Sequence, residues 1–326
     1  MQKILNNFKN QRILVVGDLI LDEYRHCDSL GKSAESPTIV VKETSKEQYI
    51  GGAGVIALHL KELGCTPIFV SVVGNDSLGK DVFNVLHSIN MESLILFDND
   101  RETTLKIRYI SEAHKLLRIS HLTERLIGEY LETEILNRIK LIHKTKKLDG
   151  IIISDFNYGV ITPRILNTLR AFAKKNKIKI FGDSQTSSQY GDIKKLNGFT
   201  MITPNEVEAR RALGDNYSDI DTLASKLLKM IGVESIFITL GKHGVYAKNA
   251  KQSVKLPAFG DVVKEKMGCG DALLSCAALA LCSGATIKQA AFLGSCMASI
   301  KVSEVGNVPI GIEQLKVSIN KYKGDL

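Results

Sequence analysis

Short apolar runs alternate with longer amphipathic segments along most of the chain, and this alternation limits the possible folds more than any other feature. The apolar runs span residues 12–17, 67–74, 149–154, 178–183, 199–203 and 235–241. The amphipathic segments include residues 55–64, 78–89, 123–144 and 163–176. Near-continuous apolar runs are typical of parallel strands that are covered on both faces. The pattern therefore predicts an α/β fold with a doubly wound, mostly parallel sheet flanked by helices.

Two stretches break this alternation. Residues 22–49 and 101–120 contain strand-like pieces with polar alternation and no helix between them. Such strands suit a small antiparallel sheet at one edge, placed to cover a ligand. Since no linker or internal repeat is visible, we expect a single domain over residues 1–326. Its small β flap, or lid, would consist of residues from about 22–49 and about 101–120.

Composition narrows the classes of function. Lysine and arginine total 43 against 35 acidic residues, a net charge of +8. The densest basic clusters, residues 143–147 and 174–179, lie where helices should end, and the helix dipole explains them there. We therefore expect phosphorylated metabolites as partners, and no nucleic acid. The apolar runs are far shorter than the roughly 20 residues that span a bilayer, and the N-terminus lacks a secretion signal, so we expect no membrane contact and a cytoplasmic location.

The six cysteines contain no Cys-x-x-Cys pair, so neither a zinc site nor a dithiol redox site is indicated. The most informative segment is instead residues 266–284, in which Gly268, Cys269 and Gly270 precede Asp271 and a long apolar helix. Glycines at a helix N-terminus let backbone amides converge on an anion. Asp271 has two interpretations: a helix N-cap, or a base that takes a proton from a substrate hydroxyl while the amides hold a transferring phosphoryl group.

Two further motifs follow predicted strands. Asn205 and Glu208 are spaced as a capping box, and they also lie one turn apart on one helix face, where they could orient phosphates and water-bound Mg²⁺. The glycine-bounded turn at residues 239–244 is a weak hairpin signal by itself. It is also well placed for nucleotide phosphates, because ligands of open α/β sheets bind beyond the carboxyl ends of strands.

One motif points elsewhere. Residues 52–57 fit the dinucleotide-binding pattern G-x-G-x-x-A, with Asp76 at a suitable distance. The segment before them is largely polar, however, and the pattern should follow directly from a buried strand. We therefore do not favour a dehydrogenase. The P-loop pattern G-x-x-x-x-G-K-[ST] is absent from the sequence, so phosphoryl transfer would use the turn at 268–271.

In this order, the motifs resemble those of the ribokinase-like (PfkB) carbohydrate kinases, and the resemblance covers nearly the whole chain. The motifs that carry it lie at residues 17–18, 51–54, 203–208, 239–241 and 268–271. Within the family, some segments look most like kinases of D-glycero-D-manno-heptose 7-phosphate in ADP-heptose synthesis. These segments are residues 17–24, 33–41, 103–120, 154–159 and 182–185. Such kinases can be fused to a nucleotidyltransferase domain, and we expect this chain to hold the kinase half alone.

The resemblance implies ATP-dependent phosphorylation of the anomeric hydroxyl of a heptose 7-phosphate. Asp271 would be the base, and the amides of Gly268, Cys269 and Gly270 would form the anion hole. Asn205 and Glu208 would serve the phosphates and Mg²⁺, the ion being held through water. The expected nucleotide contacts are Thr239, Gly241 and Gly244, and the expected sugar contacts are Asp18, Gly51, Gly52 and Asp155. A homodimer is expected as well, since exposed strand edges of the lid can pair with a second chain.

Lys106 and Arg108 lie on a predicted lid strand with the spacing of two that places side chains on one side. They are candidates for binding a substrate phosphate, although solvated charges on the lid would explain them equally well.

The sequence also departs from the family pattern. Glu265, Lys266 and Met267 stand where an Asp-Thr-Thr run is usual, so a need for a monovalent cation stays open. Val55 replaces a common asparagine, and Gln185 replaces a lysine that is frequent in heptose kinases. Two alternatives therefore remain: a kinase for another sugar or sugar phosphate, and a non-catalytic sugar- or nucleotide-binding protein on the same fold.

Overall fold

The computed structural model describes residues 1–112, 114–185, 191–260 and 262–325. Its strands, numbered in chain order, are β1 (Arg12–Gly17), β2 (Leu19–Lys32), β3 (Ile39–Gly52), β4 (Thr66–Gly74), β5 (Glu92–Asp98), β6 (Leu105–Ser111), β7 (His114–His121), β8 (Gly150–Asp155), β9 (Lys179–Ser184), β10 (Met201–Ile202), β11 (Ser235–Thr239), β12 (Val245–Asn249) and β13 (Ser253–Leu256). The α-helices are α1 (Gln2–Asn6), α2 (Ala53–Glu62), α3 (Ser77–Ser88), α4 (Glu129–Thr145), α5 (Pro163–Asn176), α6 (Glu206–Leu213), α7 (Ile220–Leu227), α8 (Cys269–Cys282), α9 (Ile287–Val302) and α10 (Ile312–Tyr322).

Within these residues, the main sheet has nine strands in the order β13-β12-β11-β10-β9-β8-β1-β4-β5. The pairs from β11 to β5 are parallel, whereas β11–β12 and β12–β13 are antiparallel. The prediction of a mostly parallel, doubly wound sheet is confirmed. Among the described residues, no helix combines the length and apolar character needed to span a bilayer.

The sheet is buried on both faces, as the near-continuous apolar strands require. In β1, Ile13 and Val15 pack into one hydrophobic cluster, together with residues of α2, α8 and α9. Leu14 and Val16 point the other way, into a second cluster with residues of α4, α5 and α7. The alternation of side chains along a strand thus divides one apolar run between two helical layers.

The lid is a separate four-stranded sheet in the order β3-β2-β6-β7. Its β2–β3 and β6–β7 pairs are antiparallel, but β2 and β6 are parallel, with Leu21 opposite Leu105. The expectation of an entirely antiparallel lid was therefore wrong. The reason is topological: β2 follows β1 and β6 follows β5, so both lid strands leave the carboxyl edge of the same parallel sheet and run in one direction.

Two predicted elements differ from the structure in their length. The helix expected from residue 123 begins at Glu129, because the preceding backbone is tied elsewhere: Ile127 N–H donates to Gly159 O at 3.0 Å. The strand expected over residues 199–203 is reduced to β10, which Pro204 follows closely. Helix α5 and strand β1 have the predicted bounds.

Candidate active site

Helix α8 begins at a glycine turn whose conformation excludes other residues. Gly268 has a φ of +76° and caps the helix. A Cβ there would lie 3.0 Å from Asn307 Oδ1 and 3.1 Å from Lys301 Cε. A Cβ at Gly270, in contrast, would meet no atom within 4 Å. The turn is therefore packed on one side and open on the other, and the unpaired N–H groups of the first helical turn are available to an anion there.

Asp271 lies in the first turn of α8, where the motif predicted it, and its side chain is buried. Its Oδ1 accepts a hydrogen bond from Gln185 Nε2 at 2.7 Å. Burial raises the pKa of Asp271 to about 7, and the Gln185 hydrogen bond opposes this. A carboxylate with such a pKa can accept a proton near neutral pH and release it again, as a general base must.

A cavity of about 480 Å³ adjoins this turn. The residues predicted to contact a nucleotide, Thr239, Gly241 and Gly244, line it together with Cys269 and Gly270. Residues of α9 also line the cavity, and Phe259 contributes apolar surface. The cavity therefore joins the turn after β11 to the glycine turn of α8.

Asn205 and Glu208 form the capping box that their spacing predicts. Asn205 Oδ1 accepts from Glu208 N–H, and Glu208 Oε2 accepts from Asn205 N–H, both at 2.9 Å. The buried Asp183 at the end of β9 lies near Glu208 and Asp271; burial and these two carboxylates raise the pKa of Asp183 far above its usual range. Its Oδ1 has no hydrogen-bond partner among the described residues. Such a concentration of buried carboxylates favours a cation.

The lid contributes a further buried carboxylate, that of Asp22. Asp22 on β2 accepts from Arg108 Nη1 and from Asn307 Nδ2, each at 2.6 Å. Gly51 on β3 is packed against Asp22, since a Cβ at this glycine would lie 2.2 Å from Asp22 Oδ2. The next residue, Gly52, has a φ of +59° and caps α2. Gly51 therefore lets the lid backbone approach Asp22 closely, whereas Gly52 packs against the backbone oxygen of Asp18.

Lys106 and Arg108 lie on β6, as predicted, and both are buried, at 4% and 5% exposure. The alternative that they are solvated surface charges is therefore wrong. Lys106 Nζ lies 5.5 Å from the ring centre of Phe156 and 5.2 Å from that of Tyr158. The charge of Lys106 also lowers the pKa of Asp271, the candidate base.

Asp18 has partners that differ from those expected. Its carboxylate accepts backbone N–H groups of Phe156 at 2.8 Å, Tyr158 at 3.2 Å and Val160 at 3.1 Å. Both oxygens are used, and burial together with Asp155 raises the pKa of Asp18 to about 6. The structure therefore ties Asp18 to the loop after β8, and its contact with sugar hydroxyls stays a prediction.

Asp155, at the end of β8, is also buried. It accepts from Asn157 N–H at 2.8 Å and forms an ion pair with Lys195. Val55, the position where the family often has asparagine, is fully buried in α2. It therefore contributes to the core.

Sequence reasoning missed several residues that the structure brings to this site. Asp22 lies inside the segment 17–24 that carried the resemblance, and Asp183 ends a predicted strand, so both had a signal. Asn307 and Lys301 reach the site from the chain beyond α8, and no local pattern marks them.

Residues 10–312 match the sequence profile of the pfkB family carbohydrate kinases. The chain belongs to this family. Among curated relatives, this kinase is 31% identical over 319 residues to a bifunctional protein HldE of Desulfatibacillum aliphaticivorans, and 30% identical over 317 residues to that of Geobacter sulfurreducens. Each alignment covers 96% of the kinase but only 64% of the relative, so the kinase spans less than two thirds of their length.

Solved structures share the fold. Phosphofructokinase-2 of Escherichia coli superposes with a TM-score of 0.78 at 14% identity, covering 96% of this kinase and 99% of that chain. Ribokinase of Arabidopsis thaliana superposes with a TM-score of 0.72 at 16% identity, covering 95% and 98%. The predicted ribokinase-like fold and carbohydrate kinase family are thus confirmed.

Proposed function

We propose that this kinase transfers the γ-phosphoryl group of ATP to the anomeric hydroxyl of D-glycero-D-manno-heptose 7-phosphate. The observation that carries the proposal is the position of Asp271, between the nucleotide cavity and the charged lid residues of β2 and β6. The similarity to the HldE proteins supports the choice of a heptose phosphate.

In the proposed reaction, Asp271 accepts the proton of the sugar hydroxyl. The hydroxyl oxygen then bonds to the γ-phosphorus, the bond from that phosphorus to the β–γ bridging oxygen breaks, and ADP leaves. The amides of Gly268, Cys269 and Gly270 hold the negative charge on the transferring group. Gln185 keeps the Asp271 carboxyl oriented through the 2.7 Å hydrogen bond.

The donor set near the phosphates fits Mg²⁺. Asp183 has an unpartnered, buried oxygen, and Glu208 lies beside it. Because Mg²⁺ keeps most of its waters, the few oxygen ligands at this place would be enough to hold it. Asn205, Glu208 and Asp183 would hold the ion, whose charge neutralises the phosphates when bound.

The lid would bind the sugar phosphate. Asp18 and Asp22 would contact the sugar, with Gly51 and Gly52 allowing close approach of the backbone. Lys106 and Arg108 supply positive charge in a buried setting, where a charge-assisted contact to a phosphate is strong. Asp155, at the end of β8, would also contact the sugar.

A kinase for a different sugar phosphate is the second candidate, because Gln185 stands where heptose kinases often have lysine. The deciding experiment compares kcat/KM for heptose 7-phosphate, the unphosphorylated heptose and fructose 6-phosphate, with ATP and Mg²⁺. We expect heptose 7-phosphate to give the highest value. A preference for fructose 6-phosphate would refute the proposed acceptor, and binding of sugars without any ATP consumption would identify a non-catalytic protein.

We also propose that residues 1–326 form one kinase domain that assembles as a homodimer through the lid. Both hydrophobic clusters draw on strands of the same sheet. On β7, the edge strand of the lid, Leu116, Leu117 and Ile119 are exposed. Light scattering of the active enzyme tests this proposal, and a fully active monomer would contradict it.

A further inference from the structure

Lys301, in the last turn of α9, is a lysine with no solvent exposure. Its side chain packs against the glycine turn, since a Cβ at Gly268 would lie 3.1 Å from Lys301 Cε. In the described part of the chain, the ammonium group of Lys301 donates one long hydrogen bond, to Glu304 O at 3.5 Å. No carboxylate of these described residues lies within ion-pairing distance of it. A buried ammonium group without a paired carboxylate is costly to the fold.

Glu265 is a candidate counter-ion of Lys301, but its carboxylate is already engaged. Glu265 Oε2 accepts from Tyr24 Oη at 2.9 Å and from Gly306 N–H at 2.8 Å. Its Oε1 accepts from Lys115 Nζ at 2.6 Å. Glu265 therefore connects the lid to the turn after α9, and these contacts lower the pKa of the Glu265 carboxyl. The carboxylate contributes to the field around Lys301 without pairing with it.

The charge of Lys301 acts on two groups in the first turn of α8. Burial raises the pKa of the Cys269 thiol to about 11 and that of Asp271 to about 7, and Lys301 opposes both shifts. The other groups that act on Asp271 are Gln185 after β9, Asp22 on β2, Lys106 on β6 and Asp183 on β9. Lys301 is thus the cation supplied from α9, whereas Lys106 acts from the lid.

We propose that Lys301 is a built-in cation of the anion hole: its positive charge strengthens the α8 turn toward phosphate, so turnover needs no added monovalent cation. This proposal rests on the proposed kinase function. Lys301 acts through the glycine turn and is therefore a positioning residue. The cost of its burial is offset when the negative charge of the phosphates arrives, which is how a preorganised charge favours the transition state.

The first test measures phosphoryl transfer in a buffer whose monovalent cation is tetramethylammonium. We expect wild-type kcat to change less than twofold when K⁺ or NH₄⁺ is added. Lys301→Ala should lower kcat about 10- to 100-fold, near the lower range for loss of a preorganised electrostatic group, and NH₄⁺ or methylammonium should restore part of it. The exposed Lys288→Ala, on the same helix, is the matched control and should behave as wild type. A wild-type enzyme that needs K⁺, or no rescue of Lys301→Ala, would overturn the proposal.

The second test does not depend on turnover. Calorimetric titration compares ADP with adenosine for the wild type and for Lys301→Met, which keeps the length of the side chain and removes its charge. We expect ADP to bind about tenfold more weakly to the variant and adenosine to bind equally well. The melting temperature should stay the same or rise, since a buried charge is removed. Equal loss for both ligands would show that Lys301 only shapes the pocket. If the wild type phosphorylates no sugar, the kinase proposal fails while this comparison still decides the role of Lys301.

Discussion

Replacement of Asp271 by asparagine distinguishes the effect of this carboxylate on the free energy of unfolding from its effect on kcat. Burial raises its pKa from 3.8 to about 7 in the folded chain. The difference between these two pKa values corresponds to a loss of at most about 4 kcal/mol in folding stability when the carboxyl ionises, because one pKa unit equals about 1.4 kcal/mol. Asparagine keeps an oxygen that can accept from Gln185 and carries no charge. We therefore expect Asp271→Asn to raise the free energy of unfolding by about 1 to 3 kcal/mol at pH 8.

The effect has a defined dependence on pH. Between about pH 4 and pH 7, folded Asp271 holds a proton that the unfolded chain has released, so its contribution to stability is lost as pH rises through about 7. The stability difference between variant and wild type should therefore shrink by about half or more from pH 8 to pH 5. Asp18 and Asp183 also titrate, but both are present in the two proteins, so the difference isolates Asp271 and its influence on its neighbours.

The same variant should lose about 10²- to 10⁴-fold in kcat, the usual contribution of a positioned general base. ATP affinity should change less than threefold, as the amides of the α8 turn are retained. The assays are urea unfolding at pH 5 and pH 8, coupled ADP release, and calorimetric titration with ATP. A variant that is less stable than the wild type at pH 8, or one that retains wild-type kcat, would refute the reasoning.

Three further variants test other parts of the site. Lys106→Met should raise KM for a phosphorylated sugar at least tenfold more than for its unphosphorylated parent, and equal effects on both would remove Lys106 from the phosphate contact. Gly268→Ala should lower the free energy of unfolding by about 1 to 3 kcal/mol and kcat strongly, because of the φ of +76° and the 3.0 Å approach to Asn307; unfolding and rate measurements that match the wild type would contradict the proposed turn. Asp18→Asn should increase amide exchange at residues 156–160, because an amide nitrogen cannot accept N–H groups. Unchanged amide exchange at residues 156–160, with a selective rise in KM for the sugar, would show instead that Asp18 acts mainly by contacting the substrate.

Much of the fold follows from the sequence because its signals are local. The β-branched run at residues 12–17 and the helix at residues 163–176, with its capping Thr162 and Pro163, are specified by near neighbours. The same holds for the motif residues: a glycine turn before a helix and a capping box after a strand predict where phosphates bind. The parallel sheet then brings these strand ends to one edge, so their meeting in one site was predictable.

Only the tertiary structure decided which partners the charged side chains of the candidate site bind. Asp18 and Asp22 lie four residues apart in one segment, yet the first is bound by the amides of a loop beyond β8 and the second by Arg108 and Asn307. The parallel pairing of β2 with β6 and the burial of Lys301 beside Gly268 likewise join residues that are far apart in the chain. Spacing along the sequence sets the face of a strand or helix, but the direction and partners of a buried charge depend on packing between distant segments, where leaving such a charge unmatched is costly.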